Sequence, residues 1–257
     1  MAPIQHTRNN GETRERARQS EVSEENTVEL HFCKLESVSM SVNEWIELLP
    51  EDEKAQARRY FREEDRLRFC IGRLMLRTLL AQNTGRAPES IVLDKGPHEK
   101  PYMTDGPSFN LSHSGSTVLV GIAASGDLGV DVEAVRPVDS MGALARSCLS
   151  DREQESFATC ADGEKMRAFF RAWTRKEAFV KALGVGLKTS LKNFSVALDD
   201  RTGNALLDAQ ACCPDAQAWS IMSAHVPGAF EAAVAWNRPF FKLNVHEFDL
   251  TIFETVT

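Results

Sequence analysis

Hydrophobic and polar positions divide the first half of the chain into a strand, a helical region and further strands. Apolar and polar residues alternate from Thr27 to Leu35 and predict a strand. Ser41 and Glu44 have the spacing of a capping box, so we expect a helix to begin there. A long helical region is predicted from Pro50 onwards. Its apolar stripe comprises Leu67, Ile71, Leu74, Met75, Thr78 and Leu79. Short strands are predicted next, over 91–93, 108–114, 117–124 and 128–133.

The second half repeats this order and begins with the strand at 128–133. Helical periodicity returns from Ser140 to Leu183, and Gly184 ends it. Four more strands are predicted, over 194–198, 217–223, 230–236 and 243–248. The repeated order predicts an α+β fold with two similar α/β subdomains, spanning 27–127 and 128–257. Segment 72–80 occupies in the first half the place of segment 174–182 in the second, which suggests an old duplication.

Residues 1–26 are polar and charged and lack apolar periodicity. This composition predicts a disordered N-terminal tail, because little apolar surface is available for burial. A partner-binding arm is the alternative interpretation of a charged tail.

Composition restricts the class of protein further. The chain has 257 residues, 42% of them hydrophobic, and a formal net charge of −7. This balance allows a substantial core and disfavours a nucleic-acid-binding protein. The six cysteines form no C-x-x-C pair, which suggests a reducing compartment. The longest apolar run, Val118 to Ala124, is too short to cross a bilayer, and no signal peptide is evident. We therefore expect a cytoplasmic protein without a membrane partner.

Glu177 lies in the middle of an otherwise apolar helical stripe. The stripe comprises Met166, Phe170, Trp173, Val180 and Gly184. An ionised carboxylate on a buried face is costly unless it has a partner. One interpretation is an ion pair with Lys181 at i,i+4. The other is that Glu177 faces a cation or a reacting proton.

Asp131 and Glu133 are two residues apart on a predicted strand and therefore share one face. The pair alone could belong to an exposed strand face. Together with Glu177, however, it supplies three carboxylates from a strand and a helix. Such a set suits a hard cation such as Mg²⁺, which prefers a few carboxylates, water and phosphate oxygens.

Two segments together resemble the signature of the 4′-phosphopantetheinyl transferases. They are Gly129-Val130-Asp131-Val132-Glu133 and Trp173-Thr174-Arg175-Lys176-Glu177-Ala178-Phe179-Val180-Lys181-Ala182-Leu183-Gly184. Segment 109–114, Phe-Asn-Leu-Ser-His-Ser, and Lys100-Pro101 match two further motifs of this family. The doubled length resembles the surfactin-synthetase-activating type, which is a monomeric pseudodimer. The resemblance implies the 4′-phosphopantetheinyl transferase fold, with two subdomains related by a pseudo-twofold axis.

The resemblance also implies an activity. Enzymes of this family move the phosphopantetheine arm of coenzyme A to a serine of an apo acyl or peptidyl carrier protein. Adenosine 3′,5′-bisphosphate is released. Asp131, Glu133 and Glu177 would hold Mg²⁺, and Glu177 matches the proposed general base.

Further contacts to coenzyme A are implied by the same motifs. Lys181 and Lys176 would lie against the diphosphate, and His113 would contact a phosphate. The other implied coenzyme contacts are Lys95, Lys100, Pro101, Asn110 and Ser112. From the residues alone, His113 could equally be a core histidine, because it shares a strand face with Phe109 and Leu111.

One position departs from the family pattern. Gln56 stands where the family often has a basic residue for the 3′-phosphate of the coenzyme. Lys54, Arg58 or Arg59 could replace it. The arginines that flank the first helical stripe, at positions 66, 68, 73 and 77, could form a solvated face or a surface for phosphates or an acidic carrier protein.

Two other functions remain open at this point. One is a different Mg²⁺-dependent enzyme that acts on a diphosphate, such as a hydrolase of coenzyme A or nucleotides. The other is a module that binds coenzyme A or a carrier protein without catalysis. The set of Asp131, Glu133, Glu177 and Lys181 argues against a module that has lost catalysis.

Overall fold

The computed structural model describes residues 26–186, 189–200 and 203–256. The predicted disordered tail lies outside the described residues except for Asn26. The α-helices are α1 (Val42–Glu47), α2 (Glu51–Ala57), α3 (Glu63–Thr84), α4 (Met141–Cys148), α5 (Asp151–Ala158) and α6 (Asp162–Leu183). The strands are β1 (Thr27–Lys34), β2 (Asp94–Lys95), β3 (Pro101–Tyr102), β4 (Ser108–Ser114), β5 (Thr117–Ala123), β6 (Leu128–Ala134), β7 (Ser195–Val196), β8 (Leu206–Asp208), β9 (Ser220–Ala224), β10 (Phe230–Trp236) and β11 (Lys242–Glu247).

Two sheets and two long helices form the layers of the fold. The first sheet has the strand order β11-β1-β5-β4, and the second has the order β6-β10-β9. Helix α3 packs on one face of the first sheet, and α6 packs on one face of the second. The opposite faces of the two sheets share a core that includes Leu30, Leu119, Val130 and Val234. The order of layers is therefore helix, sheet, sheet, helix.

The two halves resemble each other in local detail. Helices α3 and α6 each have 22 residues. Each ends at a glycine in the left-handed region, Gly85 with φ 67° and Gly184 with φ 65°. A glycine adopts this conformation without the strain that a β-carbon would cause. The predicted α+β class with two similar halves is confirmed.

Side chains of β4 join the two sheets at their edges. Asn110 Oδ1 accepts a hydrogen bond from the Val130 N–H at 2.8 Å, and Ser114 Oγ accepts one from the Ala134 N–H at 3.1 Å. Between them, Ser112 Oγ accepts from the N–H of Val132 at 3.4 Å. Because these side chains take the place of a backbone ladder, β4 stays beside β6 without merging the two sheets. This contact brings the Asn-x-Ser-x-Ser alternation of β4 to the Asp-x-Glu alternation of β6.

Most predicted elements are present, and the Ser41–Glu44 capping box is confirmed. The long helical region predicted from Pro50 is wrong in one respect, since residues 58–62 separate α2 from α3. The strand predicted over 91–93 is also wrong. Arg77 binds the carbonyl oxygens of Pro88 and Ile91, at 3.2 and 2.7 Å, so this segment satisfies them through a helix side chain.

Arg77 itself was expected to be solvated or to face a phosphate or an acidic partner. Instead it is buried and forms an ion pair with Glu53 at 3.0 Å.

Near the C-terminus, β11 pairs in parallel with β1, so the last strand belongs to the sheet of the first half. The boundary at residue 127 stays a prediction. None of the helices within the described ranges is both long and apolar enough to cross a membrane.

Candidate active site

A cleft of about 520 Å³ lies where β4, β6 and α6 meet. Most of the residues that the sequence predicted for catalysis and metal binding are in its lining. The polar lining comprises Ser112, His113, Asp131, Glu133, Glu177 and Lys181. Trp173, Val180, Leu111 and Leu191 form its apolar walls. The structure therefore brings together the carboxylates of β6 and the Glu177–Lys181 turn of α6.

A glycine permits this approach of strand and helix. A β-carbon at Gly129 would overlap the carbonyl oxygen of Ala178 and the backbone of Ala182. Glycine at the start of the Gly-Val-Asp-Val-Glu motif thus allows β6 to lie directly against α6. Asp131, two residues on, then faces the helix turn that carries Lys181.

Asp131 has one satisfied and one unsatisfied oxygen. The residue is 4% exposed, and Oδ1 accepts hydrogen bonds from Ser112 Oγ at 2.8 Å and from Lys181 Nζ at 2.7 Å. Oδ2 is buried and has no hydrogen-bond partner among the described residues. A buried, unsatisfied acceptor is costly. Oδ2 is therefore a natural position for a cation ligand.

Lys181 is the ion-pair partner of Asp131 at 2.7 Å, which rules out the interpretation of Glu177 as its partner and leaves the interpretation of Glu177 as a residue that faces a cation or a proton. Besides Asp131, its ammonium contacts Ser112 Oγ at 2.9 Å and the carbonyl oxygen of Val130 at 3.2 Å. The Lys181 side chain is 31% exposed and remains accessible from the cleft. Glu177 makes no hydrogen bond or ion pair with the described residues.

Burial raises the pKa of both glutamates in the cleft. For Glu177, the charge of Asp131 raises the pKa further, and Lys181 opposes it. For Glu133, a hydrogen bond from Ser114 Oγ at 2.7 Å opposes the effect of burial on the pKa. The cleft thus holds more negative charge than Lys181 balances. A bound cation would relieve this repulsion.

The donor set fits a weakly coordinated hard cation. Among the residues that the structure describes, no three His, Cys, Asp or Glu side chains converge as a closed metal cluster. The unpartnered Asp131 Oδ2 and the two glutamates instead offer a few separate oxygen donors. Mg²⁺ is typically held in this way, with water and substrate phosphate oxygens as the other ligands.

His113 is exposed at the rim of the cleft, which rules out the interpretation as a core histidine. Desolvation lowers the pKa of its imidazole, and the nearby charges of Arg68 and Lys181 lower it further. The neutral ring can offer one N–H to an anionic ligand in the cleft.

Lys176 does not reach the cleft, contrary to the role implied by the motif. It is fully buried and forms an ion pair with Glu153 at 2.8 Å. Its ammonium also donates to the carbonyl oxygens of Leu191 at 2.6 Å and Phe194 at 2.7 Å. Successive helix residues are about 100° apart. Lys176 therefore points away from the face that carries Glu177.

Two further cavities are linked to the cleft through shared lining residues, the first directly and the second only through the first. A cavity of about 230 Å³ is lined by Glu177 and Lys181, and also by Lys100 and Pro101. Lys100 and Pro101 in turn line a larger cavity of about 650 Å³, together with Lys95. We call these three linked cavities the groove; their lining runs from the β2–β3 hairpin to Asp131.

Several residues predicted to contact the coenzyme are bound to other residues of the protein. Lys100 Nζ donates to the carbonyl oxygens of Lys181 at 2.7 Å and Leu128 at 3.0 Å, and so fastens the end of α6 to β6. Burial lowers the pKa of Lys100. Lys95 is exposed and pairs with Glu99. The side-chain oxygen of Asn110 accepts a hydrogen bond from the Val130 N–H of β6.

The basic residues near Gln56 are partly engaged. Lys54 pairs with Glu47 and Glu51, both at 3.0 Å, and Arg58 pairs with Glu47 at 2.9 Å. Arg59 is exposed. Which of these residues contacts a 3′-phosphate stays a prediction.

The sequence interpretation did not assign a site role to Ser114. Its hydroxyl bridges Glu133 and the β6 backbone. The two-residue spacing from Asn110 to Ser112 to Ser114 on a predicted strand could have indicated this role, because all three must share one face.

Carboxylates and lysines that line linked cavities suit a ligand with phosphate groups and a divalent cation. Two family models match adjacent parts of the chain. One, described as 4′-phosphopantetheinyl transferase, N-terminal, matches residues 37–126. The other, described as the 4′-phosphopantetheinyl transferase superfamily, matches residues 127–235. The chain belongs to the 4′-phosphopantetheinyl transferase superfamily.

Individual relatives agree with this membership. The chain is 36% identical to the 4′-phosphopantetheinyl transferase HetI of Nostoc sp., over 58% of this chain and 65% of that protein. It is 34% identical to a protein of Synechocystis sp., over 56% of this chain and 60% of that protein. In both cases the match spans less than two thirds of the relative. The 4′-phosphopantetheinyl transferase ffp of Bacillus subtilis is 29% identical over 74% of this chain and 83% of its own length.

Proposed function

We propose that this chain transfers the 4′-phosphopantetheine group of coenzyme A to a serine of an apo acyl or peptidyl carrier protein. The observation that carries the proposal is the buried Oδ2 of Asp131, which has no hydrogen-bond partner among the described residues and lines the same cleft as Glu133, Glu177 and Lys181. The cleft that holds Asp131 is linked to two further cavities lined by Lys100 and Pro101, which offer space for the rest of the coenzyme. The products are the holo-carrier and adenosine 3′,5′-bisphosphate.

Asp131, Glu133 and Glu177 would hold Mg²⁺ in this proposal. The ion would supply charge neutralisation at the diphosphate of coenzyme A, which phosphoryl transfer requires more than covalent chemistry. The fit of these residues to such an ion rests on the unsatisfied Asp131 oxygen and on the excess of carboxylates over lysine in the cleft.

Glu177 is suited to accept the proton of the carrier serine. Its carboxylate has no hydrogen-bond donor among the described residues, and its pKa is raised by burial and by Asp131. A carboxylate with a raised pKa is a stronger base at neutral pH. As the proton moves to Glu177, the serine oxygen forms a bond to the phosphorus nearer the pantetheine. The bond to the bridging oxygen breaks, and adenosine 3′,5′-bisphosphate leaves with its electron pair.

Lys181 and His113 would bind the phosphate oxygens. The ammonium of Lys181 is held by Asp131 and Ser112 but is open to the cleft, so it can stabilise charge that develops on the diphosphate. His113, on the rim, can donate a hydrogen bond to a phosphate oxygen. We further propose that the enzyme is a monomer and acts in the cytoplasm. Analytical ultracentrifugation tests the oligomeric state.

A mass-spectrometric assay tests the proposed function. The protein is incubated with coenzyme A, Mg²⁺ and a purified apo carrier protein, and the intact carrier is then weighed. A gain of one phosphopantetheine supports transfer. Breakdown of coenzyme A without this gain would indicate a hydrolase, and neither change would indicate a binding module.

Two variants test the roles of the carboxylates. Glu177→Gln and Asp131→Asn should keep the fold and lower transfer by about 100-fold or more, because both remove a negative ligand or base from the cleft. Glu155→Gln, on the exposed face of α5, removes the same charge outside the cleft and is the matched control. Transfer within a few-fold of the parent in either cleft variant would contradict the assignment.

A further inference from the structure

Phe61 is the most exposed large hydrophobic side chain among the described residues, with 98% of its surface accessible. It lies in the corner between α2 and α3. The neighbouring Tyr60 is 37% exposed and packs its ring on Phe69, with ring centroids 5.3 Å apart. A single exposed aromatic residue is common on protein surfaces. The surroundings of Phe61 give it a more specific meaning.

Three arginines flank this aromatic pair in the sequence. Arg58, Arg59 and Arg62 are exposed, although the chain as a whole has a net charge of −7. The acidic residues that follow lie in the first turn of α3, where they offset the positive end of the helix dipole. Aromatic residues and arginine are the types enriched at the centres of protein interfaces. We name residues 58–62 the aromatic corner.

The start of α3, directly after the aromatic corner, is linked to the rim of the cleft. Asp65, one helical turn after Phe61, pairs with Arg68 at 2.7 Å and interacts electrostatically with His113. Arg68 in turn donates to the carbonyl oxygen of Gly115 at 2.7 Å, directly after β4. These contacts fasten the start of α3 to the rim where His113 stands. A protein whose serine enters the cleft must therefore cover this rim.

The groove itself does not use the aromatic corner. The three cavities that form the groove are lined by the β2–β3 hairpin, β4, β6 and α6, and by no residue of the corner. A stable protein–protein contact buries about 800 Å² on each partner, far more than a serine loop in the cleft provides. The corner supplies apolar and basic surface for such a contact, next to the start of α3 that reaches the rim.

We propose that the aromatic corner is the docking surface for the apo carrier protein. The Phe61 ring enters an apolar depression of the carrier, and Arg59 and Arg62 face carboxylates around that depression, while Arg58 stays paired with Glu47. This inference rests on the proposed transfer reaction. It adds to it the surface that selects the protein substrate, separate from the groove for coenzyme A.

Steady-state kinetics of Phe61→Ala test the docking surface. With a purified apo acyl carrier protein and Mg²⁺, the variant should raise the KM for the carrier by about tenfold, the effect of a moderate interface residue. The kcat at saturating carrier and the KM for coenzyme A should stay within twofold of the parent. The melting temperature should not change, because the ring contacts little of the fold. Phe61→Tyr, which keeps the ring, should restore most of the affinity.

Phe240→Ala is the matched control. Phe240 is 61% exposed in the turn between β10 and β11, and this variant should leave every kinetic constant unchanged. An unchanged KM for the carrier in Phe61→Ala would overturn the inference. A raised KM for coenzyme A alone would also overturn it and indicate a coenzyme contact. If the parent self-associates in sedimentation and Phe61→Ala does not, the inference would likewise be overturned, because Phe61 would then contact a second copy of the chain.

Transfer by the parent enzyme distinguishes failure of the docking inference from failure of the proposed function. If the parent transfers phosphopantetheine and Phe61→Ala behaves like the parent, only the docking surface is refuted. If the parent transfers nothing, the proposed function fails and the docking inference fails with it.

Discussion

Lys176 and Lys181 lie on the same helix, five residues apart, and should respond differently to the loss of their ammonium groups. Lys176→Met keeps a similar apolar length but removes the partner of Glu153. That carboxylate is 1% exposed and would retain only the N–H groups of Ser150 at 2.6 Å and Val196 at 2.7 Å. The carbonyl oxygens of Leu191 and Phe194 would lose their donor as well.

The expected loss of stability is large. Removing one partner of a buried ion pair costs about 3–5 kcal/mol, because the other charge remains buried without compensation. For a protein of this size, 1 kcal/mol lowers Tm by about 2–4 °C. We therefore expect Lys176→Met to lower Tm by about 6–20 °C. The double variant Lys176→Met/Glu153→Gln should recover part of this loss, since it removes the uncompensated charge.

Lys181→Met is the matched comparison. Its side chain is partly exposed to the cleft, and Ser112 still donates to Asp131 in the variant, so the stability loss should be smaller. Its transfer activity should fall strongly. The assay combines urea unfolding, followed by circular dichroism, with transfer measured per folded molecule. A Lys176→Met enzyme with a parental unfolding midpoint and no transfer would refute the reasoning, because it would place Lys176 at the substrate.

Two further predictions concern packing and pH. Gly129→Ala should destabilise the protein by about 3 kcal/mol, the upper end for overpacking, because its β-carbon would overlap the Ala178 carbonyl. A parental midpoint in urea would contradict this close approach. Burial, and then the adjacent His246, lower the pKa of His31 from 6.5 to about 4, so the unfolded chain binds the proton more readily. Stability should therefore fall between pH 6.5 and 4, by about 1–2 kcal/mol after allowance for partial exposure. His31→Gln should remove this part of the dependence of stability on pH. An equal loss of stability between pH 6.5 and 4 in both proteins would contradict the prediction.

The local geometry of the candidate site could be predicted from the sequence. The two-residue period of a strand places Asp131 and Glu133 on one face, and the helical period places Glu177 one turn before Lys181. Both pairs line the cleft, as their spacing indicated. The capping box at Ser41 and the glycine end of α6 follow from equally local rules.

Partners that are distant in sequence could not be predicted. Lys176, Lys100 and Arg77 each carry a charge that pattern or motif could assign to a ligand or an acidic partner. Each is held by groups on other segments: Lys176 by Glu153, Lys100 by the end of α6, and Arg77 by Glu53. For Lys176, membership in the motif is insufficient to identify a ligand contact, because neighbouring helix residues point about 100° apart and Glu177 already faces the cleft.

The sequence by itself determined the α+β order of elements, the family resemblance and the carboxylates that share a face. These properties depend on backbone periodicity, which acts over a few residues. The tertiary structure decided that Lys181 pairs with Asp131 instead of Glu177, and that Ser114 holds Glu133. It also decided that β11 joins the sheet of the first half. These outcomes depend on which distant segments share a buried contact, because a buried charge or strand edge takes the partner that packing brings to it.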